Sequence, residues 1–430
     1  MPNRSLREWL TILEARHPSE IDLGLDRVSE VWGRLNVRRG TPQSEIRPTV
    51  VTVAGTNGKG SCIAAMQGIL LAHGYSVGVF TSPHFLKYNE RICIAGVSVS
   101  DQSIVDAFTA IESIRGDVSL TYFEFNTLAA LVIFGQHELD IVLLEVGLGG
   151  RLDAINIIDP DVAVVTSIDL DHQDWLGNTR TEIAAEKLGI SRAKKPLIVG
   201  EQNPPDGFDE LVLKTGATAL MIGRDFSIIN NTTGSHFTSL VQGSGVLSSF
   251  PDIEVRGLLP QNKILAIQAL ISAGVQLKPE KVAESLKSTS LIGRQQSLVF
   301  KGVNVLLDVA HNPAAAAVLK RNIPIIKGKT YAVASVLADK DWAGMISQVS
   351  GSLDEVLVAK ISDNPRASSA QSMLDMVYNA GLKGYRCDSI EAAFLKVIAE
   401  ASADDQIVVF GSFHTVSSVL RIISKEARCE

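Results

Sequence analysis

The chain has 430 residues, with 40 lysines and arginines against 47 aspartates and glutamates, a formal net charge of −7. Hydrophobic residues make up 46% and charged residues 20%, which excludes a disordered chain; the net acidity excludes a general nucleic-acid binder, which needs a basic footprint. The length allows two or three domains, each with a sizeable core.

The first segment is amphipathic but carries Arg4, Arg7, Glu8, Glu14 and Arg16, so it lacks a signal-peptide apolar region. No run of about 18 uncharged apolar residues follows anywhere, so no transmembrane helix is expected. Cys62, Cys93, Cys387 and Cys429 have no CxxC spacing. That argues against zinc and a disulfide framework and fits a reducing compartment. A cytoplasmic protein without a membrane or nucleic-acid partner is expected.

The first clear strand is Thr49–Ala54, TVVTVA. It runs into Gly55-Thr56-Asn57-Gly58-Lys59-Gly60-Ser61 and then a helical pattern, Lys59–His73. Glycines let the backbone approach phosphate oxygens, and a helix N-terminus offers free N–H groups and partial positive charge. Lys59 adds a full charge and Ser61 a hydroxyl. The strict GxxxxGK[ST] pattern is not met, because Gly60 separates Lys59 from Ser61. Even so, strand, lysine and helix together predict nucleotide-phosphate binding.

Next come the strand Ser76–Phe80 with Thr81-Ser82-Pro83-His84 at its end, the helical stretch Phe123–His137, and the strand Asp140–Val146. Glu145 closes the last of these and enters Gly147-Leu148-Gly149-Gly150-Arg151-Leu152-Asp153. The strand Asp161–Ile168 ends in Asp169-Leu170-Asp171-His172-Gln173-Asp174. These strands are nearly continuous apolar runs, as expected of parallel strands covered on both faces. Alternation with helices predicts right-handed βαβ units in a doubly wound α/β sheet. Ligands in such sheets sit at the carboxyl ends of strands, so Ser82, Glu145 and one of the Asp169–Asp174 group share an edge suited to Mg²⁺. Spacing alone does not choose among the latter. Lys187 lies in the helical run Thr181–Leu188, where a lone lysine is ordinarily solvated.

From Asn230 to Arg256 the chain is rich in Ser, Thr and Gly with short alternating segments, predicting an antiparallel hairpin region. A helix over Gln261–Ala273 follows. Leu291–Gln296 is a candidate linker. Beyond it, Val303–Val309, Tyr331–Val336, Glu355–Ala359 and Gln406–Phe410 predict a second, smaller α/β domain.

Taken in order, the motifs resemble those of the Mur ligase superfamily, and more closely the bifunctional dihydrofolate synthase/folylpolyglutamate synthase family. They are IDLGLDRV (Ile21–Val28), VAGTNGKGS (Val53–Ser61), TSPH (Thr81–His84), TYFEF (Thr121–Phe125), LEVGLGGRLDA (Leu144–Ala154), Asp171-His172, EKLGI (Glu186–Ile190), GRQQ (Gly293–Gln296), LDVAHNP (Leu307–Pro313), ADKD (Ala338–Asp341) and GSFHTV (Gly411–Val416). The resemblance covers nearly the whole chain. It implies an ATPase domain over 1–292 with a small antiparallel appendage, a linker at 293–296, and a Rossmann-like domain over 297–430. ATP would lie in the cleft between the domains, with the linker as hinge, and the protein would be a monomer.

Carried over by position, Thr56, Asn57, Gly58, Lys59, Gly60, Ser61, Asn262, Arg294 and Asp308 would contact ATP. Ser82 and Glu145 would hold one Mg²⁺ and His172 a second. Lys187 matches the lysine that this family carboxylates with CO₂; a carbamate offers anionic oxygen ligands where an ammonium would repel the metal. Lys59, Lys187, His172 and Arg294 would be the catalytic groups. Dihydropteroate would meet Ile21, Asp22 and Leu23, then Thr121, Tyr122, Phe123 and Glu124, then Leu152, Asp153 and Ala154. Phe123 can pack on a flat pterin, and a carboxylate can accept its N–H groups. His311 and Asn312 would face the cleft. One departure stands out: Lys263, Ile264 and Leu265 replace the small residues usual after the ATP-contacting asparagine.

The implied reaction is ATP-dependent addition of L-glutamate to dihydropteroate, and to tetrahydrofolate and its polyglutamates, through an acyl phosphate. A folylpolyglutamate synthase alone and a peptidoglycan-precursor ligase are the nearest alternatives. A nucleotide switch would not need a second metal, and a P-loop kinase would release ADP without glutamate.

Overall fold

The computed structural model describes residues 4–17, 21–39, 48–232, 234–243, 246–362 and 364–426. They fall into two units, Met1–Thr289 and Ser290–Glu430. In the first, eight strands form one sheet: β1 Thr49–Ala54, β2 Val77–Phe80, β3 Ile92–Ile94, β4 Val97–Ser98, β5 Ile141–Glu145, β6 Val162–Val165, β7 Pro196–Val199 and β8 Thr218–Met221. Their order is β4-β3-β2-β5-β1-β6-β7-β8. The six strands from β2 to β8 are parallel, and β3 and β4 are antiparallel additions at one edge.

The central strands are apolar on both faces because both faces are covered. On one side, the helices Leu6–Arg16, Asp26–Arg39, Asp101–Arg115 and Tyr122–Phe134 enclose Trp9, Phe108, Phe125, Phe80 and Leu144 in one core. The helix Tyr122–Phe134 is buried all round from Glu124 onward, the pattern of a core helix. It begins with a capping box: Thr121 Oγ1 accepts the Glu124 N–H, and the Glu124 carboxylate accepts the Thr121 N–H. A separate core cluster packs Ile183, Leu188 and Phe208 with Val165 and Val199.

The expected antiparallel region has three strands, β9 Ser227–Asn230, β10 His236–Gly243 and β11 Val246–Glu254, in the order β11-β10-β9. The helix Pro260–Ser272 lies against β10. Gln268 Nε2 donates to Gln242 O at 2.7 Å, and Gln268 Oε1 accepts from Gln242 N at 2.8 Å. A buried amide thus completes the backbone pairing of that strand.

The second unit holds β12 Gln296–Phe300, β13 Val303–Leu307, β14 Thr330–Ala334, β15 Glu355–Val358, β16 Lys383–Arg386 and β17 Gln406–Phe410. Their order is β12-β13-β17-β14-β15-β16, parallel except for β12. Trp342, Met345, Val408 and Phe410 centre its core. Both expected sheets are therefore present. No helix among the described residues is long and apolar enough to cross a membrane.

Candidate active site

The order β2-β5-β1-β6 places four strand ends side by side on one edge of the first sheet. They carry, in turn, Ser82, Glu145, the glycine loop and the Thr166–His172 segment. The loop is held without its own secondary structure. Thr56 N donates to Ser167 O at 2.9 Å, Thr56 Oγ1 to Asp169 O at 3.1 Å, and Asn57 N to Ser167 Oγ at 2.9 Å. Thr166 Oγ1 donates to Asn57 O at 2.6 Å. Thr166 and Ser167, ordinary strand-end residues in the sequence, brace the loop from β6.

Two glycines there have no substitute. Gly55 has φ 150° and Gly58 φ 90°. A β-carbon on Gly55 would fall 1.9 Å from Thr166 Oγ1, and one on Gly58 2.5 Å from Asn262 Oδ1. Asn262 therefore lies directly against the loop. Gln261, not anticipated from sequence, joins its helix to the β6 and β7 ends through Thr166 O and Gly200 O at 3.3 and 2.6 Å. Gly58 caps the helix Lys59–Ala72 with no side chain of its own, so the first turn's N–H groups lack an intrinsic side-chain cap and suit an anion. Lys59 Nζ donates to Gly55 O at 2.8 Å, across the mouth of the loop, and Ser61 is buried in the first turn.

Beside the loop, Glu145 is 5% exposed and takes the Ser82 N–H at 3.1 Å. Across β1, Lys187 is only 3% exposed. It is not the solvated helix lysine that its sequence context suggests. Burial, reinforced by the Lys59 charge, pulls its amine down to about 7 against the attraction of Asp171 and Glu186. Glu186 itself is turned away to Arg151 at 2.8 Å. Asp171 is buried, accepts the His172 N–H at 2.9 Å, and stands 3.9 Å from His172 Nε2. Asp169 is tied to Thr56 through its backbone, and Asp174 is exposed. Among the described residues no three His, Cys, Asp or Glu side chains form a ready metal cluster. The donors present fit an ion that takes one or two protein ligands plus phosphate oxygens and water.

Contacts link the three segments expected to meet a pterin. Phe123 lies over Gly147, where a β-carbon would meet the ring at 2.8 Å and Asp153 Oδ2 at 3.2 Å. Asp153 accepts N–H groups from Leu148 and Ile155 at 3.1 and 3.0 Å. Burial nevertheless pushes its carboxyl up to about 7, with Lys59 pulling the other way. Leu152 is half-buried and Ala154 buried. Asp22, between Ile21 and Leu23, pairs with Arg27 at 2.8 Å, and Arg27 reaches Glu124 at 3.2 Å. The Asp22–Arg27–Glu124 chain joins the first motif to the third. It also engages Glu124 in capping and ion pairing, so Glu124 acts on the segment's shape. Arg27 is the member that the sequence reading did not single out.

In the second unit, Asp308 is buried at the end of β13 and accepts N–H groups from Gln295 and Ala310 at 3.0 and 2.8 Å. Burial raises its carboxyl above the usual range, opposed by Arg294. The Arg294 guanidinium lies 5.3 Å from the centre of the Phe413 ring. His311 Nδ1 is 2.9 Å from Val309 O, while Asn312 caps the helix Pro313–Asn322 by accepting the Ala315 N–H at 2.9 Å.

A family model described as the Mur ligase glutamate ligase domain matches residues 293–413. The chain is 41% identical over 421 residues to the dihydrofolate synthase/folylpolyglutamate synthase of Escherichia coli (strain K12), covering 97% of this chain and 95% of that protein. The structure of E. coli FolC in complex with DHPP and ADP superposes with a TM-score of 0.90 at 39% identity, covering 99% of both chains. A bifunctional folylpolyglutamate synthase/dihydrofolate synthase with Mn, AMPPNP and L-glutamate bound gives 0.88 at 38% identity and 98% of both. With the sheet order, the phosphate loop and the buried lysine already in place, these likenesses settle the lineage: the chain belongs to the dihydrofolate synthase/folylpolyglutamate synthase family of the Mur ligases.

Proposed function

We propose that this chain is an ATP-dependent ligase joining L-glutamate to dihydropteroate, forming dihydrofolate, and to tetrahydrofolate, forming polyglutamates. The observation that carries the reading is Lys187: a fully buried amine held near neutrality beside Lys59, at the edge that also carries Glu145 and Ser82. A nucleotide-binding module has no use for it, whereas a neutral amine can react with CO₂ to give a carbamate. Ser82 and Glu145 would hold one divalent metal and His172 a second, with the Lys187 carbamate supplying anionic oxygens beside them; when bound, such metals neutralise phosphate charge during transfer.

The N–H groups from Gly58 to Ser61 cradle the phosphates, with Thr56 and Asn57 fixing the loop through Ser167, and Lys59 places its charge where negative charge develops. Asn262 contacts the nucleotide next to the loop. In the second unit, Arg294 and Asp308 are further nucleotide contacts. The substrate carboxylate attacks the γ-phosphorus, the bond to ADP breaks, and an acyl phosphate forms. The amine of glutamate then attacks the acyl carbon and phosphate leaves, so one difficult amide bond is made in two easier steps. Phe123 and the buried Asp153 carboxyl, adjacent to each other and within the field of Lys59, suit a flat heterocycle with N–H donors. That adjacency favours the bifunctional reading over a synthase restricted to tetrahydrofolate.

The test is phosphate release from Mg·ATP with L-glutamate and dihydropteroate, omitting each component in turn. Release that needs all of them is expected. Release seen only when tetrahydrofolate replaces dihydropteroate would leave a folylpolyglutamate synthase alone, and release without glutamate would point to a kinase or hydrolase.

A further inference from the structure

Arg91 is buried, with 8% of its surface exposed. Its Nε donates to His84 Nδ1 at 2.9 Å, and its guanidinium faces the rings of Tyr88 and Tyr122 at 5.7 and 5.6 Å. Burial raises both tyrosine hydroxyls well away from neutrality, so both rings are uncharged. Glu90, next in the chain, spends its carboxylate on the N–H groups of Phe85, Leu86 and Lys87 at 2.7–2.9 Å. Glu14 is felt at Tyr122 but is not ion-paired with Arg91. Among the described residues, then, Arg91 has no acidic partner. A buried cation without one is costly, and such groups in proteins are normally paired.

The position of Arg91 says what the missing anion is. It stands just before β3, whose Ile92 pairs with Phe80 of β2, and its carbonyl accepts the Thr81 N–H at 2.9 Å. That puts it on the ligand edge, one strand from Ser82. The phosphate loop follows β1, three strand spacings away, roughly 14 Å, and the Arg91 side chain is turned to Tyr122 instead. Tyr122 precedes Phe123, the residue over Gly147 and Asp153. A phosphate held by the glycine loop is thus out of line, and a carboxylate of the acyl substrate is in line. A guanidinium matches a carboxylate with two parallel N–H bonds. Among the described residues Nε alone is engaged, by His84, which leaves the Nη atoms for that match.

We propose that Arg91 is a substrate-binding residue that anchors a carboxylate of the folate substrate, held in place by His84, Tyr88 and Tyr122. This rests on the folate-ligase reading above. Two carboxylates qualify: the benzoate that is activated in dihydropteroate, and the α-carboxylate of the terminal glutamate in tetrahydrofolate.

The experiment is equilibrium binding, in the presence of Mg·AMPPNP, of dihydropteroate, tetrahydrofolate and the neutral carboxamide of dihydropteroate. It is run on the wild type, Arg91→Met and Arg91→Lys, and AMPPNP binding by each variant checks that it is folded. The wild type should prefer acid to amide by about tenfold or more, the scale of a charge-assisted hydrogen bond. Arg91→Met should lose that preference while amide affinity stays the same. Arg91→Lys should recover only part of it. Loss for dihydropteroate and tetrahydrofolate alike assigns the activated carboxylate; loss for tetrahydrofolate alone assigns the α-carboxylate. A variant that keeps both the dihydropteroate preference and the tetrahydrofolate affinity, or that loses acid and amide equally, overturns the proposal. Wild-type protein that binds AMPPNP but no pterin would sink the folate reading, and this inference with it.

Discussion

Asn262 closes over Gly58. A β-carbon on Gly58 would come within 2.5 Å of Asn262 Oδ1, and the backbone there has φ 90°. Gly58→Ala is therefore penalised twice, by a left-handed conformation worth roughly 1–2 kcal/mol and by displacing the Asn262 amide that we propose contacts the nucleotide. ATP affinity should fall at least tenfold. Adding Asn262→Gly should recover none of the conformational share and none of the lost contact. A nucleotide titration of both variants checks this; an unaltered affinity in Gly58→Ala would mean that the loop adapts.

Lys59→Ala should abolish ATP turnover while the fold survives, because Lys59 Nζ donates to a loop carbonyl, Gly55 O, at 2.8 Å and the side chain is no part of the hydrophobic cores. Far-UV circular dichroism should be unchanged. Measurable turnover in this variant would remove Lys59 from the chemistry.

Lys187→Ala should lose most activity, and short carboxylates should restore part of it by standing in for the carbamate oxygens. The pH dependence has a definite sign. Burial, helped by Lys59, brings the wild-type amine to about 7, so the neutral form that reacts with CO₂ grows as pH rises through 7. Enzyme stripped of CO₂ and then given the same concentration of dissolved CO₂ at each pH should regain activity faster at pH 8 than at pH 6. Equal rates, or full activity in Lys187→Ala, would return Lys187 to a structural role.

Glu145→Gln should raise the Mg²⁺ concentration needed for half-maximal activity, with about tenfold or more expected from removing a charged ligand. Glutamine keeps the size and can still accept the Ser82 N–H seen at 3.1 Å, so the loop geometry is retained. An identical Mg²⁺ titration would exclude Glu145 as a ligand.

The central strands of both sheets were legible because parallel strands covered on both faces must be apolar throughout, as in β1 and β5. The edges were not. β12 alternates half-buried and exposed residues, and β16, Lys383–Arg386, is mostly exposed, so neither carries the signal that marked the centre. The expected strand Asp161–Ile168 ends at Val165 because Thr166 and Ser167 turn outward to brace Asn57. The loop itself, Glu145 and the Asp171-His172 segment could be placed on one edge from topology alone. What could not be read was burial. Nothing in the local sequence of Lys187 distinguishes it from a surface lysine; only the packing of Arg180–Leu188 under β6 does. Arg27 and Gln261 escaped for the same reason, since their partners are about 97 and 61 residues away.

Lys263 replaces a small residue where the family resemblance expects one, and the structure shows what it does. It is buried, and its Nζ donates to Glu254 O and Arg256 O at 2.6 and 2.8 Å, tying the start of the Pro260–Ser272 helix to the end of β11. Burial lowers its amine to about 8, opposed by Glu254. Between about 8 and the unfolded value of 10.5 the unfolded chain binds more protons than the folded one, so stability rises with pH in that window. The contribution is complete above 10.5 and is lost as pH falls through 8. Lys263→Met removes the titrating group, so the wild type should gain on it as pH rises from 8 toward 10.5, by at most about 3 kcal/mol. Urea denaturation of both proteins across that range measures the gap. A gap that stays constant with pH would mean that the buried ammonium keeps its proton throughout, held by the two carbonyls.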